Sequence, residues 1–251
     1  MKLAKFAFVC AAVASLSAIA DGEAVSSTLA ILKADNSDGL RSFPVGINFA
    51  AADGAVSVSN AVKTASLPAD TLLYVWDDSE KKYAVYEIDG NYWTSSKTVY
   101  FDGTNATQTT VSNPDAKKLA AGSGAFIQFP SNVDPTQYAV ILAGNLPSSA
   151  SVTVTPGANL ICAPVAGAFN LSGAASWSAI SNSTFTAKGK LKVPGDMIQV
   201  PTADGGASTT YYYNGTAWGT VGSSFTPGGS IPAGQAFWYI RKGESNMTIT
   251  W

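Results

Sequence analysis

The chain has 251 residues, of which 15 are Lys or Arg and 17 are Asp or Glu, so its formal net charge is −2, and it contains no His. The absence of His excludes catalysis by Ser-His-Asp or Cys-His sets and the His-containing zinc sites. A charged fraction of only 13%, without an extended basic patch, argues against nucleic acid as a partner.

The N-terminus has the pattern of a secretory signal peptide. A basic start is followed by an apolar run from Phe6 to about Leu16 and by small residues before the expected cleavage point. We expect residues 1–20 to be removed by cleavage after Ala20, with Ala24 as the alternative. The run is shorter than the roughly 20 apolar residues that cross a bilayer, which disfavours a membrane anchor. The mature protein is therefore expected to be extracellular or at the cell surface, without a membrane span.

Cys162 is the one Cys that would remain after this cleavage, so no intramolecular disulfide could form. A chain of this length buries enough apolar surface to fold without one. Cys162 lies in the apolar run L-I-C-A-P, which predicts a buried and unreactive side chain.

Beyond residue 20 the sequence predicts a succession of short β-strands. Runs rich in Val, Ile, Thr and Tyr, separated by Gly, Pro, Asn and Asp, are typical of antiparallel sandwiches and barrels. The predicted strands are Ser26–Lys33, Leu72–Trp76, Tyr83–Ile88, Lys97–Phe101, Ala125–Phe129, Tyr138–Leu142, Ser151–Thr155, Leu160–Ala163, Met197–Val200, Thr209–Tyr213, Ala236–Arg241 and Met247–Trp251. Single helical turns are predicted only near Asp115–Leu119 and Ala174–Ala179. The expected fold class is all-β.

Four sequence anchors occur twice in the same order, which predicts a tandem duplication. The first is G-L-R-S-F-P-V from Gly39, matched by N-L-I-C-A-P-V from Asn159, and the second is an Asp before an apolar run, Asp70 and Asp196. The others are D-G-N-Y-W with N-G-T-A-W, and L-A-A-G-S-G-A-F-I with I-P-A-G-Q-A-F-W-Y. We expect two related antiparallel β-sandwich or barrel-like domains, residues 25–145 and 146–251.

Each copy contains a predicted hairpin in which a Tyr faces a Trp. D-G at 89–90 and N-G at 214–215 have the preferred composition of two-residue turns. Such turns would make the directly opposed pairs Tyr86 with Trp93, and Tyr211 with Trp218. Because the pair recurs, packing within each core is the favoured role, and an exposed platform for sugar rings is the alternative.

Trp238 is the remaining candidate ligand or interface aromatic. It follows I-P-A-G in a predicted strand. Trp238 is expected either to fill the core of the second copy or to lie at an interface between the copies.

The acidic residues do not form a recognisable catalytic or metal-binding set. Asp before a strand commonly caps a turn, which accounts for Asp70 and Asp196. The segment D-N-S-D-G at 35–39 lacks the ligand spacing of a calcium loop. We therefore expect no enzyme activity, catalytic residue, metal or cofactor. A glycan hydrolase that uses Asp70 or Asp196 is a remote alternative.

The second copy carries four motifs together: N-L-I-C-A-P at 159–164, G-D-M-I at 195–198, Y-Y-Y-N-G-T-A-W at 211–218 and I-P-A-G-Q-A-F-W-Y-I-R at 231–241. This set resembles that of uncharacterised secreted bacterial tandem β-repeat proteins. The first copy departs from it, because residues 119–126 lack the Pro. The resemblance implies an extracellular or cell-surface β-protein and no particular ligand.

Two functions are compatible with these features. The first is a non-enzymatic structural or cell-surface protein, a self-assembling subunit of an extracellular fibre or layer, in which the strands near 25–33 and 246–251 exchange between chains. Pairing of such strands within the chain is the simpler expectation. The second is a carbohydrate-binding or adhesion module that uses exposed Trp and Tyr. The expected partners are other copies, other surface proteins or glycans.

Overall fold

The computed structural model describes residues 14–20, 23–32, 42–49, 55–64, 67–77, 82–90, 92–95, 97–101, 106–110, 118–134, 137–165, 167–201 and 208–251. Strands make up 50% of the structure and helices 6%, which confirms the all-β prediction. The start of the predicted signal peptide (1–13), the segment 35–39 and residues 115–117 of one predicted helical turn lie outside the described residues.

Before residue 146 the described chain forms thirteen strands and one short helix. These are β1 (Ala14–Ala20), β2 (Glu23–Leu32), β3 (Ser42–Ile47), β4 (Ala55–Ser57), α1 (Val58–Ala61), β5 (Val62–Lys63), β6 (Leu72–Asp77), β7 (Lys82–Asp89), β8 (Tyr92–Ser95), β9 (Lys97–Phe101), β10 (Ala106–Thr110), β11 (Lys118–Ala120), β12 (Ser123–Gln128) and β13 (Val140–Asn145). We call this part the first half.

The second half, from residue 146 onward, also consists of short strands and one short helix. Its elements are β14 (Ser151–Val154), β15 (Gly157–Cys162), β16 (Phe169–Asn170), α2 (Leu171–Ala174), β17 (Thr184–Phe185), β18 (Leu191–Val193), β19 (Met197–Val200), β20 (Thr209–Tyr213), β21 (Trp218–Val221), β22 (Phe225–Pro227), β23 (Ser230–Ile231), β24 (Ala236–Arg241) and β25 (Met247–Thr250).

The two helices only partly match the predicted helical turns. Helix α2 ends at Ala174, where the predicted turn was to begin, and the side chain of Asn170 caps it by accepting a hydrogen bond from Ser172 N at 2.9 Å. Helix α1 was not predicted, and Lys118–Ala120 is a strand rather than part of a helix. Within the described residues, no helix is long and apolar enough to cross a membrane.

One large antiparallel sheet runs through both halves. Its strand order is β10-β9-β7-β6-β12-β15-β24-β19-β20-β21-β22, with β3 also paired to β12 and β8 to β7. Smaller sheets flank it. The first half contributes the order β1-β2-β13-β5, and the second half contributes the pair β14-β25.

The buried apolar residues form two clusters, one in each half. The alternation of side chains along a strand explains the division, because one face of each strand enters a core and the other does not. In β6, Leu73 and Val75 are buried while Trp76 is exposed. In β24, Phe237 and Tyr239 are buried while Trp238 is only half-buried. Each core lies between the large sheet and strands of the flanking sheet, β13 in the first half and β14 with β25 in the second.

The two halves have the same order of strands. In the first half the order is β3-β12-β6-β7-β8, and in the second half it is β15-β24-β19-β20-β21. In each half an early strand also pairs with the last strand, β2 with β13 and β14 with β25. The strands near both ends of the chain are therefore paired within the chain.

The predicted hairpin register is wrong by two residues in both halves. Trp93 lies opposite Ile88, and Trp218 lies opposite Tyr213, so neither Trp directly faces Tyr86 or Tyr211. In the first hairpin Asp89 pairs with Tyr92, which places the turn one residue later than predicted.

The turn of the second hairpin also lies one residue later than predicted, because Asn214 N donates a hydrogen bond to Ala217 O at 3.1 Å across Gly215 and Thr216. The side-chain Oδ1 of Asn214 accepts hydrogen bonds from Thr216 N at 2.9 Å and Ala217 N at 2.7 Å. An Asn side chain that bonds to the backbone in this way stabilises a turn. The composition N-G therefore indicated a turn correctly but placed it one residue too early.

Candidate functional site at the junction of the two halves

Three of the five aromatic residues singled out from the sequence are buried in the cores. Tyr86 is 0% exposed, Trp93 is 3% exposed and Trp218 is 1% exposed. The indole Nε1 of Trp93 donates a buried hydrogen bond to the carbonyl of Val62 at 2.8 Å. These rings present no free face to a sugar, which favours the packing role over the binding platform.

The other two candidates, Tyr211 and Trp238, are half-buried. Tyr211 packs against the second core and covers Gly229, where a Cβ atom would collide with its ring. Trp238 projects from the opposite face of the sheet, and its ring lies 5.9 Å from that of Phe126 in the first half. Of the two expectations for Trp238, this contact favours the interface between the halves.

Trp238 belongs to a row of aromatic side chains on the face of the large sheet that points away from the cores. Its contacts link three strands of the first half to β24. Ring centroids are 5.1 Å apart for Trp76 and Tyr83, 6.3 Å for Tyr83 and Phe126, and 5.9 Å for Phe126 and Trp238. We call Trp76, Tyr83, Phe126 and Trp238 the aromatic row.

The sequence does not predict the aromatic row, because its members come from segments far apart in the chain. A usable signal was the alternation in L-Y-V-W at 73–76, which puts Leu73 and Val75 on one face and Tyr74 and Trp76 on the other. Pattern alone identifies such a face but not the strands that lie beside it.

Glycine residues allow the halves to meet at this point. A Cβ atom on Gly124 would lie 2.5 Å from Cγ of Leu160, and one on Gly46 would collide with Cys162. Backbone hydrogen bonds cross the same boundary, from Gly46 N to Gly234 O and from Cys162 N to Gly122 O, both at 2.8 Å. The close approach joins β12 to β15 and makes the large sheet continuous.

Cys162 is fully buried at this boundary. Burial raises the pKa of its thiol well above the ordinary value of 9.0, although a hydrogen bond from the backbone of Gly122 partly opposes the effect. A neutral, inaccessible thiol is a poor nucleophile. The geometry agrees with the predicted structural role of Cys162.

A groove of about 620 Å³ opens beside the boundary. Trp76 and Tyr83 line it from the first half, and Trp238 lines it from the second. Its remaining surface includes the polar side chains of Lys118, Ser123 and Thr153. The groove therefore combines three aromatic rings with hydroxyl groups and one cation.

Asn159, which also lines the groove, is fully engaged within the protein. Its Oδ1 accepts from Thr155 N at 2.9 Å, and its Nδ2 donates to the carbonyls of Thr155 at 2.8 Å and Tyr239 at 3.3 Å. These bonds hold the turn between β14 and β15 against β24. Asn159 thus shapes the groove and has little capacity left for a ligand.

The two matched Asp residues have different environments. Asp196 is completely buried and accepts hydrogen bonds from Arg241 Nη1 at 2.7 Å and from the hydroxyl of Tyr239 at 2.8 Å. Asp70 is exposed, in a turn where its φ is 61°. No three His, Cys, Asp or Glu side chains of the described chain cluster in a way that could hold a metal ion.

The edge of β2 is a second feature of interest. Strand β1 pairs along it from Ala14 opposite Leu29 to Ala20 opposite Glu23. Strand β13 occupies the other edge of β2 but reaches only to Ser27. Residues 23–26 of β2 therefore have β1 as their strand partner, and β1 lies within the segment predicted to be a signal peptide.

Comparison with known proteins gives no assignment. No protein-family model matches the chain, and no curated protein or solved structure matches it.

Proposed function

We propose that the protein is a secreted, non-enzymatic structural protein of the cell surface that assembles with copies of itself by pairing of β-strands. The observation that carries this proposal is the pairing of β1 with β2. All seven residues of β1 fall within the predicted signal peptide, residues 1–20. Cleavage after Ala20 would therefore remove the strand that covers one edge of β2.

The uncovered edge is suited to accept another strand. Backbone N–H and C=O groups that face β1 would lose their partners, and open sheet edges readily pair with a strand from another chain. A second copy of this protein is the proposed partner. Pairing of β2 with β2 would give a twofold dimer, whereas pairing of β2 with a different edge would extend into a fibre or layer.

In this proposal the chains assemble by pairing at the edge of β2, and they do not exchange both terminal strands. Strand β25 is already paired over its whole length with β14, from Met247 opposite Val154 to Thr250 opposite Ser151. Releasing β25 would also expose Met247 and Ile249, which are buried in the second core. This cost makes the N-terminal edge the better candidate for assembly.

We further infer that the two halves are tandem copies of one unit, residues 25–145 and 146–251. Their shared strand order and their separate cores support this inference. The positions of Trp93 and Trp218 support it as well, since each lies in the strand after its hairpin turn and is opposite a core residue of the preceding strand, Ile88 or Tyr213. A repeated unit suits a structural role, because it builds length without a new fold.

The environment of the acidic residues supports a role without catalysis. The carboxylate of Asp196 accepts hydrogen bonds from Arg241, Tyr239 and two backbone N–H groups, and it is not accessible to solvent. A general acid or base has to reach a substrate, so this carboxylate is better explained as a structural element.

The first test is the state of the secreted protein. Mass spectrometry of the exported chain should give a mature form that begins after Ala20 or Ala24. Size-exclusion chromatography and negative-stain electron microscopy of residues 21–251 should then show dimers or larger regular assemblies. Retention of residues 1–20 in the exported protein, or a monomer at every concentration, would contradict the proposal.

Variants in β2 test the edge itself. Val25 and Ser26 pair with β1 but not with β13, so Pro can be placed there without removing a β13 hydrogen bond. Because alternate residues face alternate sides of a strand, one of Val25→Pro and Ser26→Pro removes an edge-facing N–H. At least one should abolish assembly, while Ser26→Thr should leave it intact.

A peptide of residues 14–20 provides an independent measurement. Added to the mature protein, it should occupy the β2 edge and dissolve the assemblies, whereas a scrambled peptide should not. Assembly that resists both the peptide and the two Pro variants would show that another surface is responsible.

A further inference from the structure

We propose that the groove at the junction binds an acidic oligosaccharide, with pyranose rings packed on Trp76, Tyr83 and Trp238 and a carboxylate of the sugar beside Lys118. This function is separate from strand pairing at β2. Apart from Trp238, it uses different residues from the candidate ligand aromatics that the sequence suggested.

The aromatic side chains supply the first argument. Trp76 is 40% exposed, and it is one of two large hydrophobic residues of the described chain that are exposed, the other being Val193. Tyr83 and Trp238, both half-buried, continue the apolar surface into the groove. An apolar surface of this kind usually marks a binding site, and the C–H face of a pyranose ring is flat enough to cover aromatic rings.

The hydroxyl groups supply the second argument. Ser123 is half-buried and Thr153 is exposed, and both line the groove. Neither hydroxyl bonds to another described residue, so each can both donate to and accept from a sugar hydroxyl. Aromatic surface combined with a few available polar groups is typical of small-molecule sites.

Charge supplies the third argument and selects the class of sugar. Lys118 is exposed, and it is the one charged side chain among the described residues that line the groove. The chain as a whole carries a net charge of −2, so a cation at the groove is not part of a general positive surface. A carboxylate placed beside Lys118 would gain a complementary charge, which a neutral sugar lacks.

Isothermal titration calorimetry with two probes tests the proposal. The probes are an oligogalacturonate and a neutral galacto-oligosaccharide of the same length, each titrated into residues 21–251. We expect the oligogalacturonate to bind at least about tenfold more tightly than the neutral chain, with an affinity that falls as salt is added. Equal affinity for the two probes, or binding of neither, would overturn the proposal.

Single substitutions locate the site. Trp76→Ala and Trp238→Ala should each weaken oligogalacturonate binding by about tenfold or more, and Lys118→Gln should reduce it to the level of the neutral probe. Trp76 is exposed, so Trp76→Ala should not impair folding. This variant therefore tests the site even if Trp238→Ala impairs folding through loss of the contact with Phe126.

Matched controls come from the second half. Tyr212→Ala removes a half-buried aromatic ring from the large sheet outside the groove. Lys192→Gln removes an exposed cation from β18, which also lies outside the groove. Both should bind oligogalacturonate as the unmodified protein does. If the controls lose as much affinity as the groove variants, the ligand binds elsewhere or through general charge, and the groove is not the site.

Discussion

Arg241 and Asp196 form an ion pair, 2.7 Å from Nη1 to Oδ2, in which the two side chains are only 4% and 0% exposed. The guanidinium also donates to the carbonyls of Ala179 at 2.7 Å and Ser245 at 3.1 Å. The carboxylate accepts a further hydrogen bond from Lys242 N at 2.6 Å. These contacts connect the end of β24 to the segment before β19 and to the loop at 179–181.

Substitution of Arg241 should be strongly destabilising. Arg241→Met would leave the charge of Asp196 buried without its partner, and removal of one member of a buried pair costs about 3–5 kcal/mol. Denaturation in guanidinium chloride measures this loss as a lower free energy of unfolding. Lys242→Met is the control, because its exposed side chain is not part of the network and the change should stay within about 0.5 kcal/mol. A loss below about 1 kcal/mol for Arg241→Met would contradict the structural role of the pair.

Because the halves are in close contact at their boundary, adding a single methyl group there should lower the free energy of unfolding by an unusual amount. Gly124→Ala would bring its Cβ to 2.5 Å from Cγ of Leu160, so the halves must shift apart, at a cost of about 1–3 kcal/mol. Gly222→Ala is the matched control, because nothing lies within 4 Å of the added atom. Thermal unfolding of both variants checks the prediction, and equal melting temperatures would argue against the close contact.

Trp93 and Trp218 should respond differently to the same substitution. Trp93 Nε1 donates to Val62 O, whereas Trp218 Nε1 is buried without a hydrogen-bond partner among the described residues. Trp→Phe removes similar volume at both sites, but only at Trp93 does it remove a buried hydrogen bond to a carbonyl. Trp93→Phe should therefore cost about 1–3 kcal/mol more than Trp218→Phe in chemical denaturation. A reversed order would show that packing differences outweigh the hydrogen bond.

Alkaline pH should destabilise the fold. Burial, and then the charge of Asp196 and the hydrogen bond to it, raise the pKa of Tyr239 above its ordinary 10.0, and burial raises the pKa of Cys162 above 9.0. Both groups stay protonated in the folded state while the unfolded state ionises, so their contribution is complete below about pH 9 and is lost as the pH rises further. The free energy of unfolding, measured between about pH 7 and 11, should decline from about pH 9 upward.

Cys162→Ala isolates one of these contributions. The variant should show a shallower decline of stability between pH 9 and 10 than the unmodified protein, whatever its stability at pH 7. A thiol reagent should label Cys162 only after denaturant is added. Labelling of the folded protein at neutral pH would contradict the buried position.

Local pattern was sufficient to locate many strands. The predicted bounds of Met197–Val200, Thr209–Tyr213 and Ala236–Arg241 agree with the structure to the residue. These segments combine β-branched and aromatic residues with clear turn signals at their ends. Interactions between residues close together in the chain determine such strands, so the sequence can predict them.

The register of the hairpins and the burial of the aromatic side chains depend on contacts that the local sequence pattern does not show. The turn at Gly215 and Thr216 lies one residue later than predicted, which moves the opposed pair from Tyr211–Trp218 to Tyr213–Trp218. The neighbours of Trp238 depend on how closely the halves approach, which Gly46 and Gly124 permit. Sequence therefore predicted that Trp238 is special but not that Phe126, Tyr83 and Trp76 lie beside it.

The pairing of β14 with β25 constrains the order in which a nascent chain can fold. Ser151 lies opposite Thr250, a separation of 99 residues, so the second core cannot close until nearly all of its half has been synthesised. The first core needs no strand later than β13 and can close while the ribosome is still making the second half. The aromatic row, which needs Trp238 beside Phe126, is then among the last features of the molecule to form.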